Sequence, residues 1–190
     1  KDYILSPQDL CTIEFIDQLI ESGIHSFKIE GRMRSKEYVR TVVSTYRNAI
    51  DLYFRSKLTD EVKQQGKAEL AKVYNRGFSE GFYFGRPFNW VSSDLEHQYE
   101  KVFIGDVTNY FKKIGVAEIL IRYEALNSGD QIFVSGKKTP GQFTVASELQ
   151  QEHVPVKTVK RGEYVGLKLP FRVRIKDKVF LWRKKKMLSS

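Results

Sequence analysis

The chain has 190 residues, of which 41% are hydrophobic and 29% are charged. This length is enough for one domain of medium size or two small ones, and the composition argues against wholesale disorder. No run of about 18 apolar residues occurs, so we expect no transmembrane helix, and the first residues do not resemble a signal peptide. The single cysteine, Cys11, excludes an internal disulfide framework and favours a reducing, cytoplasmic location.

Positive charge is concentrated in the second half of the chain. Residues 1–100 carry 14 basic and 15 acidic residues, whereas residues 101–190 carry 18 basic and eight acidic residues, a net charge of +10. This asymmetry predicts two units with different roles. A basic unit favours a polyanionic partner, most often a nucleic acid; the plainer alternative is that the charge only keeps a small β domain soluble.

The first half alternates strand and helix patterns. Ser6-Pro7 offers an N-cap for a helix over residues 8–22, with Asp9 in its first turn, and Gly23 is suited to end it. Residues 24–30 have the pattern of a strand, and Ser35 caps a long helix that is followed by another over residues 60–74. This order is typical of a parallel α/β fold. Two strand–helix units are too few to close a barrel or to complete a sheet. We therefore expect them to be the last part of a larger barrel or sheet in a longer protein.

The second half changes to short strands separated by turns. The segment that precedes these strands, residues 75–87, is rich in glycine and aromatic residues. We expect its aromatic rings to be buried by packing within the protein; the alternative is that they stack on nucleic-acid bases. The later pattern favours a small closed barrel, with six strands over residues 101–110, 115–121, 131–135, 141–149, 164–169 and 179–182. The predicted fold is α/β followed by all-β, in three segments: strand–helix units at 1–58, a helix and connecting segment at 59–100, and a basic β domain at 101–190.

The strand predicted over residues 24–30 ends in a group of charged side chains. Alternation places Lys28 and Glu30 on one face, at the strand end where parallel α/β folds carry their sites. Gly31 permits a turn or close approach of a ligand, and Arg32 and Arg34 offer donors for a carboxylate or phosphate. The predicted catalytic residues are therefore Lys28, Glu30 and Arg32, and Arg32 and Arg34 are predicted to bind substrate. The alternative is an ion pair that stiffens a loop.

The strongest basic run lies between residues 172 and 186, with eight Lys or Arg and one Asp. Alternation along an extended stretch would place four of these charges on one face and Val173 and Ile175 on the other. Such a face suits phosphate binding, although a solvent-facing strand of a barrel has a similar pattern. The predicted nucleic-acid-binding residues are Arg172, Arg174, Lys176, Lys178, Arg183, Lys184 and Lys185.

Residues 1 to about 86 contain four distinctive motifs: Ser6-Pro7-Gln8-Asp9-Leu10-Cys11, the run from Gly23 to Met33, Tyr38-Val39, and Asn75-Arg76-Gly77-Phe78 with Gly81 and Gly85. Together these motifs resemble those of the U32 family of collagenase-like peptidases. The resemblance implies the C-terminal elements of a TIM-like barrel. The later β domain resembles the family's C-terminal domain, similar to the second domain of elongation factors, only through Gly-Asp turn patterns.

The resemblance also changes the prediction for Cys11. By itself, Cys11 predicts only a small buried residue, because no histidine is placed beside it. Several family members are hydroxylation factors that carry a four-iron four-sulfur cluster on four cysteines, and the last of these lies in the segment matching Asp9-Leu10-Cys11. The resemblance therefore implies that Cys11 is a cluster ligand, with the other three ligands upstream of residue 1.

The family members that modify tRNA resemble this chain most in architecture. They are needed for 5-hydroxyuridine at the wobble position, with prephenate as a candidate co-substrate. We therefore expect the intact protein to be an iron–sulfur-dependent tRNA hydroxylation enzyme in the cytoplasm and this chain to be inactive alone. The expected partner is tRNA, a second family subunit is left open, and neither DNA nor a membrane is expected. The alternatives are a collagenase-like peptidase and a non-catalytic module that binds RNA or protein.

Overall fold

The structure, a computed structural model, describes residues 8–73, 75–85 and 98–185. The chain divides into two compact units, residues 1–97 and residues 98–190, called the first and the second unit below. All α-helices of the described residues lie in the first unit, and a large antiparallel sheet dominates the second. No helix in the described parts of the chain is both long and apolar enough to cross a membrane.

The first unit combines three helices with one short parallel pair of strands. The helices are α1 (Ile16–Glu21), α2 (Lys36–Phe54) and α3 (Asp60–Ala71), and a 3₁₀ turn at Ile13–Phe15 precedes α1. The strands β1 (Asp9–Leu10) and β2 (Phe78–Ser79) pair in parallel. Apolar side chains of α1, α2 and the 3₁₀ turn form the core, which includes Ile13, Phe15, Ile16, Leu19, Val42 and Ala49.

The helix predicted over residues 8–22 begins later than the sequence indicated. Asp9 and Leu10 are part of β1, because the Asp9 N–H donates to Gly77 O and the Cys11 N–H donates to Ser79 O. Placing Asp9 in a first helical turn was therefore wrong. The predicted Ser6-Pro7 cap lies outside the described residues. The predicted end of the helix is confirmed: Gly23 follows α1 with φ of 84°, a conformation that glycine adopts without strain.

Both later helices are confirmed, each with a side-chain cap. The Ser35 hydroxyl accepts a hydrogen bond from the Tyr38 N–H at the start of α2, and Thr59 Oγ1 accepts from the Val62 N–H at the start of α3. Helix α2 buries Val42 and Ala49 at helical spacing, which fixes the face that it presents to the core. Of the predicted helix over residues 60–74, the structure forms Asp60–Ala71.

Ser35→Ala is expected to lower the free energy of unfolding of the first unit by about 1 kcal/mol, because the Tyr38 N–H loses its acceptor. Ser44→Ala, in the same helix, is the matched control. Ser44 donates to Thr41 O on an exposed helical turn, and alanine there changes stability by less than about 0.5 kcal/mol. Urea unfolding followed by circular dichroism measures both variants. Equal losses in the two variants would contradict the capping role.

Residues 24–30 do not form the predicted strand. No strand among the described residues pairs with this segment, and a strand exists only where a neighbour completes its hydrogen bonds. The alternation of side chains nevertheless holds from Ser26 to Glu30. Phe27 and Ile29 are half-buried and pack on the core, whereas Lys28 and Glu30 are exposed. The sequence pattern therefore indicated the buried face correctly without specifying a pairing partner.

The described residues of the second unit form ten strands. All six predicted strands are confirmed, and short strands join them: β3 (Tyr99–Phe111), β4 (Val116–Ile121), β5 (Leu126–Asn127), β6 (Gln131–Ser135), β7 (Gln142–Val145), β8 (Gln150–Gln151), β9 (Val154–Pro155), β10 (Thr158–Val159), β11 (Tyr164–Lys168) and β12 (Lys178–Lys184). Eight strands form one antiparallel sheet in the order β7-β6-β12-β3-β4-β11-β8-β9, and β5 pairs with β10. One apolar cluster lines the inner side of the sheet, including Ile104, Ile119, Val134, Val165 and Leu181.

Residues 172–178 are not the extended stripe that alternation predicted. The Asp177 N–H donates to Arg174 O, and Asp177 Oδ2 accepts from the Arg174 N–H, which closes a turn before β12. Lys176 has φ of 73°, a left-handed conformation that no strand contains. Ile175, predicted to face the apolar side, is 59% exposed. The turn therefore points the basic side chains in different directions.

Candidate functional site

The first unit contains a cleft of ≈ 940 Å³. Its walls come from β1, α1, residues 24–30 and α2, with Arg76 and Tyr83 from the later segment. Apolar and tyrosine side chains make up much of the lining. Its charged lining consists of four Lys or Arg and two carboxylates: Lys28, Arg34, Arg47, Arg76, Asp9 and Glu30. This excess of positive charge favours an anionic ligand.

Asp9 and two arginines form a hydrogen-bonded polar cluster in the cleft. Arg34 Nη2 lies 2.8 Å from Asp9 Oδ1. Arg76 binds the same oxygen through Nη2 at 2.8 Å and Nε at 3.1 Å. The Asp9 side chain is 9% exposed, whereas those of Arg34 and Arg76 are 20% and 36% exposed. Arg34 also lies over the Tyr38 ring, 4.7 Å from its centre, which holds the guanidinium in place.

The second oxygen of Asp9 is left without a partner. Within the described residues, nothing forms a hydrogen bond with the buried Oδ2, although three N–H groups converge on Oδ1. A buried carboxylate oxygen without a partner can accept a hydrogen bond from a hydroxyl or ammonium group of a ligand. Two guanidiniums that share one carboxylate keep one uncompensated positive charge, which attracts a carboxylate or phosphate. The cluster can therefore hold a ligand that carries both an anionic group and a hydrogen-bond donor.

The predicted catalytic residues are placed differently from one another. Lys28 and Glu30 are exposed and line the cleft, together with Arg34. Glu30 Oε1 accepts a hydrogen bond from the Arg32 N–H at 2.6 Å, which stiffens the loop. The Arg32 side chain is exposed and is not among the residues that line the cleft. The structure therefore brings Lys28, Glu30 and Arg34 to one cavity and leaves Arg32 outside it.

Cys11 lies in the core of the first unit, 5% exposed. Its sulfur accepts hydrogen bonds from the Ile13 N–H and, at 4.0 Å, from the Tyr46 hydroxyl. Burial raises the pKa of the thiol despite these two donors. Burial also raises the pKa of Tyr46 to about 12, so its hydroxyl keeps its proton and remains a donor. At neutral pH, Cys11 is therefore a protonated thiol held by two donors.

The surroundings of Cys11 fit one ligand of a metal cluster but not a complete site. N–H and O–H donors directed at a cysteine sulfur are the interactions that stabilise a coordinated thiolate. Cys11 is the only cysteine of the chain, and the described residues contain no group of three or more His, Cys, Asp or Glu able to hold a metal ion. A cluster at Cys11 would therefore need three further thiolates from outside this chain.

The basic residues predicted to bind nucleic acid divide into two groups. Three of them are held by partners within the second unit: Lys178 pairs with Asp106, Arg183 with Glu100 and Glu124, and Arg174 bonds Thr139 Oγ1 and Lys138 O. The side chains of the other four are exposed and form no hydrogen bond or ion pair within the described residues: Arg172, Lys176, Lys184 and Lys185. Arg174 is also left without a carboxylate, because both of its partners are neutral, and Lys178 shares Asp106 with Arg122.

Sequence reasoning missed the role of Asp9 and Arg76. Asp9 was assigned to a helix dipole and Arg76 to an aromatic tract, yet the two meet across 67 positions of sequence. The tract itself is partly used for packing, because Phe15 contacts the rings of Tyr83 and Phe84. The available signal was that both residues lie in the sequence motifs quoted above, Ser6 to Cys11 and Asn75 to Phe78.

Comparisons with known proteins place the first unit in a family. The model of Peptidase family U32 matches residues 1–92. An uncharacterized protease of Methanocaldococcus jannaschii is 41% identical over 184 residues, 94% of this chain and 44% of the relative. A collagenase of Porphyromonas gingivalis is 34% identical over 191 aligned positions, 97% of this chain and 45% of the relative.

A third relative carries a different activity in its name. The tRNA hydroxylation protein P1 of Bacillus subtilis is 41% identical over 110 residues, 57% of this chain and 26% of the relative. The chain thus spans less than half the length of each of these relatives. The expected resemblance is confirmed by these matches. Residues 1–92 form a domain of peptidase family U32.

Proposed function

We propose that the intact protein is an iron–sulfur-dependent enzyme that hydroxylates wobble uridine in tRNA, and that this chain supplies one cluster ligand, an anion-binding cleft and an RNA-docking unit. The environment of Cys11 carries the proposal. A buried, protonated thiol with two hydrogen-bond donors and no histidine partner is a poor nucleophile, but it suits coordination once a metal displaces the proton. The tRNA hydroxylation proteins among the relatives support this choice of reaction.

The fold is consistent with a place in a larger barrel. In this proposal, β1, β2 and residues 24–30 belong to a TIM-like barrel whose other strands come from the longer protein. The parallel pairing of β1 with β2 supports it, as does the alternation of buried and exposed side chains in the unpaired segment. The second unit would be a small barrel similar to the second domain of elongation factors, with an antiparallel sheet around one core as support.

Five of the six charged groups of the cleft have a role in the proposal. Arg34 and Arg76 would bind a carboxylate of the co-substrate, for which prephenate is the candidate. Asp9 Oδ2 would accept a hydrogen bond from the hydroxyl group of the co-substrate. Lys28 and Glu30 are the proposed acid–base pair at the exposed side of the cleft, and Arg32 is proposed to contact the RNA backbone from outside it. A bound cluster would supply electron transfer. The residues of this chain position the anion and shield the thiol from water.

The proposal is tested by deleting the parent gene and measuring modified nucleosides of total tRNA by mass spectrometry. We expect loss of 5-hydroxyuridine derivatives, restored by the intact gene but not by the Cys11→Ala variant. In the reconstituted intact protein, Cys11→Ala should abolish the visible absorbance of the cluster. Val42→Ala, which removes methyl groups from the same core, is the control and should keep the absorbance. An unchanged nucleoside profile, or full absorbance in Cys11→Ala, rejects the proposal.

A peptidase is the second candidate function. The collagenase of P. gingivalis matches 97% of this chain, so its name carries the same weight in the comparison as that of the tRNA hydroxylation proteins. Proteolysis requires an activated nucleophile, a carboxylate pair or a metal, and the described residues contain no group of three or more His, Cys, Asp or Glu able to hold a metal ion. Cleavage of gelatin by the intact protein, with an unchanged tRNA profile in the deletion strain, would favour this alternative over hydroxylation.

Charge reversal of the exposed basic residues is expected to weaken tRNA binding. Arg172→Glu combined with Lys176→Glu should reduce the slope of log affinity against log salt by about 1 to 2. Each basic side chain that no longer contacts a phosphate means that one counterion fewer is released when tRNA binds. Lys112→Glu with Lys113→Glu, in the exposed turn between β3 and β4, makes the same charge change and is the control. Equal slopes in both double variants would indicate that tRNA senses only total charge.

A further inference from the structure

The outer face of the second unit's sheet carries aromatic rings where solvent-facing side chains are normally polar. In β3, β6 and β12, residues of the inner core alternate with residues of this face. The rings belong to six residues, called the ring face: Tyr99, Phe103, Phe133, Phe143, Phe180 and Trp182. None of the six belongs to the cluster that forms the core. The sheet therefore has a second apolar side that the core does not use.

Four phenylalanines of the ring face form a row across four adjacent strands. Phe143 pairs with Phe133, and Phe180 pairs with both Phe133 and Phe103 in the register of the sheet. Their ring centres are 4.8, 6.4 and 5.7 Å apart along the row. Tyr123, which is 59% exposed, extends the row 5.5 Å beyond Phe103. Three steps between strands make a platform about 15 Å wide.

A second, shorter row lies beside the first. Trp182 and Tyr99 stack at 5.9 Å with 23° between their planes, and Trp182 contacts Phe143 edge to face. Phe133 and Trp182 are buried, whereas Phe103, Phe143 and Phe180 are half-buried and keep part of each ring accessible. The platform therefore offers accessible ring surface at these three phenylalanines.

The charges on the ring face are mainly positive. Lys101 Nζ lies 5.0 Å from the Phe180 ring centre and 5.7 Å from that of Phe133, and Lys178 Nζ lies 5.1 Å from the Phe103 ring centre. Asp106, at one end of the face, is shared by Lys178 and Arg122. The exposed Lys184 follows Trp182 on the same face of β12. Ammonium groups placed among rings complement a phosphate backbone whose bases lie on those rings.

We infer that the ring face binds unpaired nucleotides of RNA, with bases stacked on the phenylalanine row and phosphates held by the lysines. This inference rests on the proposed function for its choice of RNA as the polyanion. Aromatic rings on a four-stranded antiparallel sheet are a common means of binding single-stranded RNA. A protein partner would suit the rings equally, but the lysines and the net charge of +10 over residues 101–190 favour RNA.

The inference is tested with the full chain and two fluorescent RNA probes, an oligouridine of about 12 nucleotides and a duplex of similar length. Anisotropy measures both affinities. Phe103→Leu and Phe143→Leu, tested separately, should each weaken binding of the single strand by about tenfold, because leucine keeps the apolar volume but removes the stacking ring. Duplex binding should change by less than about twofold. Phe143→Tyr keeps an aromatic ring at this position and should therefore bind the single strand as tightly as the unaltered chain does.

Tyr164→Leu is the matched control, because Tyr164 is a 54% exposed ring on β11, outside the ring face. Circular dichroism checks that every variant is folded. Unchanged single-strand affinity in both folded phenylalanine variants would overturn the inference, as would equal losses for single strand and duplex. A change in oligomeric state with unchanged RNA affinity would assign the face to protein contact and overturn it as well.

The nucleoside assay distinguishes this inference from the proposed function. Loss of single-strand binding in the variants, together with an unchanged tRNA profile in the deletion strain, would retain the ring face and reject tRNA hydroxylation. Loss of 5-hydroxyuridine in the deletion strain, with unchanged binding in the variants, would retain the enzyme and reject the ring face.

Discussion

Gly105→Ala is expected to lower the free energy of unfolding of the second unit by about 3 kcal/mol. Gly105 lies in β3 and pairs with Val179 of β12 on one side and Ile121 of β4 on the other. A Cβ atom there would lie 2.2 Å from Leu120 O, a backbone atom of the adjacent strand. Because β3 is hydrogen-bonded on both sides, it cannot move away from Leu120 without disrupting pairs with β12.

Gly166→Ala is the matched control for this substitution. Gly166 also lies within a strand, β11, but its Cβ would meet its nearest neighbours, Gln150 O and Val116 Cγ1, at 3.6 Å, an ordinary contact distance. We expect Gly166→Ala to change the free energy of unfolding of the second unit by less than about 0.5 kcal/mol. Urea unfolding followed by circular dichroism compares the two variants. A midpoint for Gly105→Ala equal to that of Gly166→Ala would contradict the strand packing described above.

Asp9→Ala is expected to lower the free energy of unfolding of the first unit by about 2 to 3 kcal/mol, somewhat less than for a fully buried ion pair because both arginines are partly exposed. The carboxylate is the shared acceptor of Arg34 and Arg76. Without it, two guanidiniums face each other with no anion between them. The loss should be smaller at high salt, since screening weakens this repulsion.

Asp51→Ala provides the comparison for the Asp9 substitution. Asp51 pairs with Arg47 at 2.7 Å on the surface of α2, with both side chains about half exposed. Such a pair contributes about 0.5 kcal/mol or less. Thermal or urea unfolding of Asp9→Ala, Asp51→Ala and the unaltered chain at two salt concentrations measures the contrast. A loss for Asp9→Ala no larger than that for Asp51→Ala would show that the cluster is not structural.

Local signals were sufficient for the helices and most strands. Ser35 and Thr59 mark helix starts through their own hydroxyl groups, and the six main strands of the second unit are bounded by turn residues next to them in sequence. The start of α1 depended instead on a distant partner. The segment that contains Asp9 is drawn into β1 by hydrogen bonds to Gly77 and Ser79, and no feature of residues 8–22 specifies that pairing.

The candidate site was predictable only where its residues are neighbours in sequence. Lys28, Glu30 and Arg34 lie within seven positions, and alternation identified which of them face outward. The link from Asp9 to Arg76 joins opposite ends of the first unit's sequence, and spacing alone gives no indication of it. In the second unit, the alternation from Arg172 to Lys178 predicted an extended stretch that the structure does not form. Asp177 closes a turn there, and a two-residue sequence period gives no indication of such a turn.

The position of β12 has a consequence for synthesis of the protein on the ribosome. It is the last of the sheet's eight strands along the sequence, yet it lies in the middle, between β6 and β3. Until residues 178–184 emerge, the nascent chain holds only the strands of two parts of this sheet, β7–β6 and β3–β4–β11–β8–β9, with no strand to join the edges of β6 and β3. Open strand edges pair with other chains. The interval before β12 emerges is therefore the stage at which the second unit exposes the most unpaired strand edge to other chains.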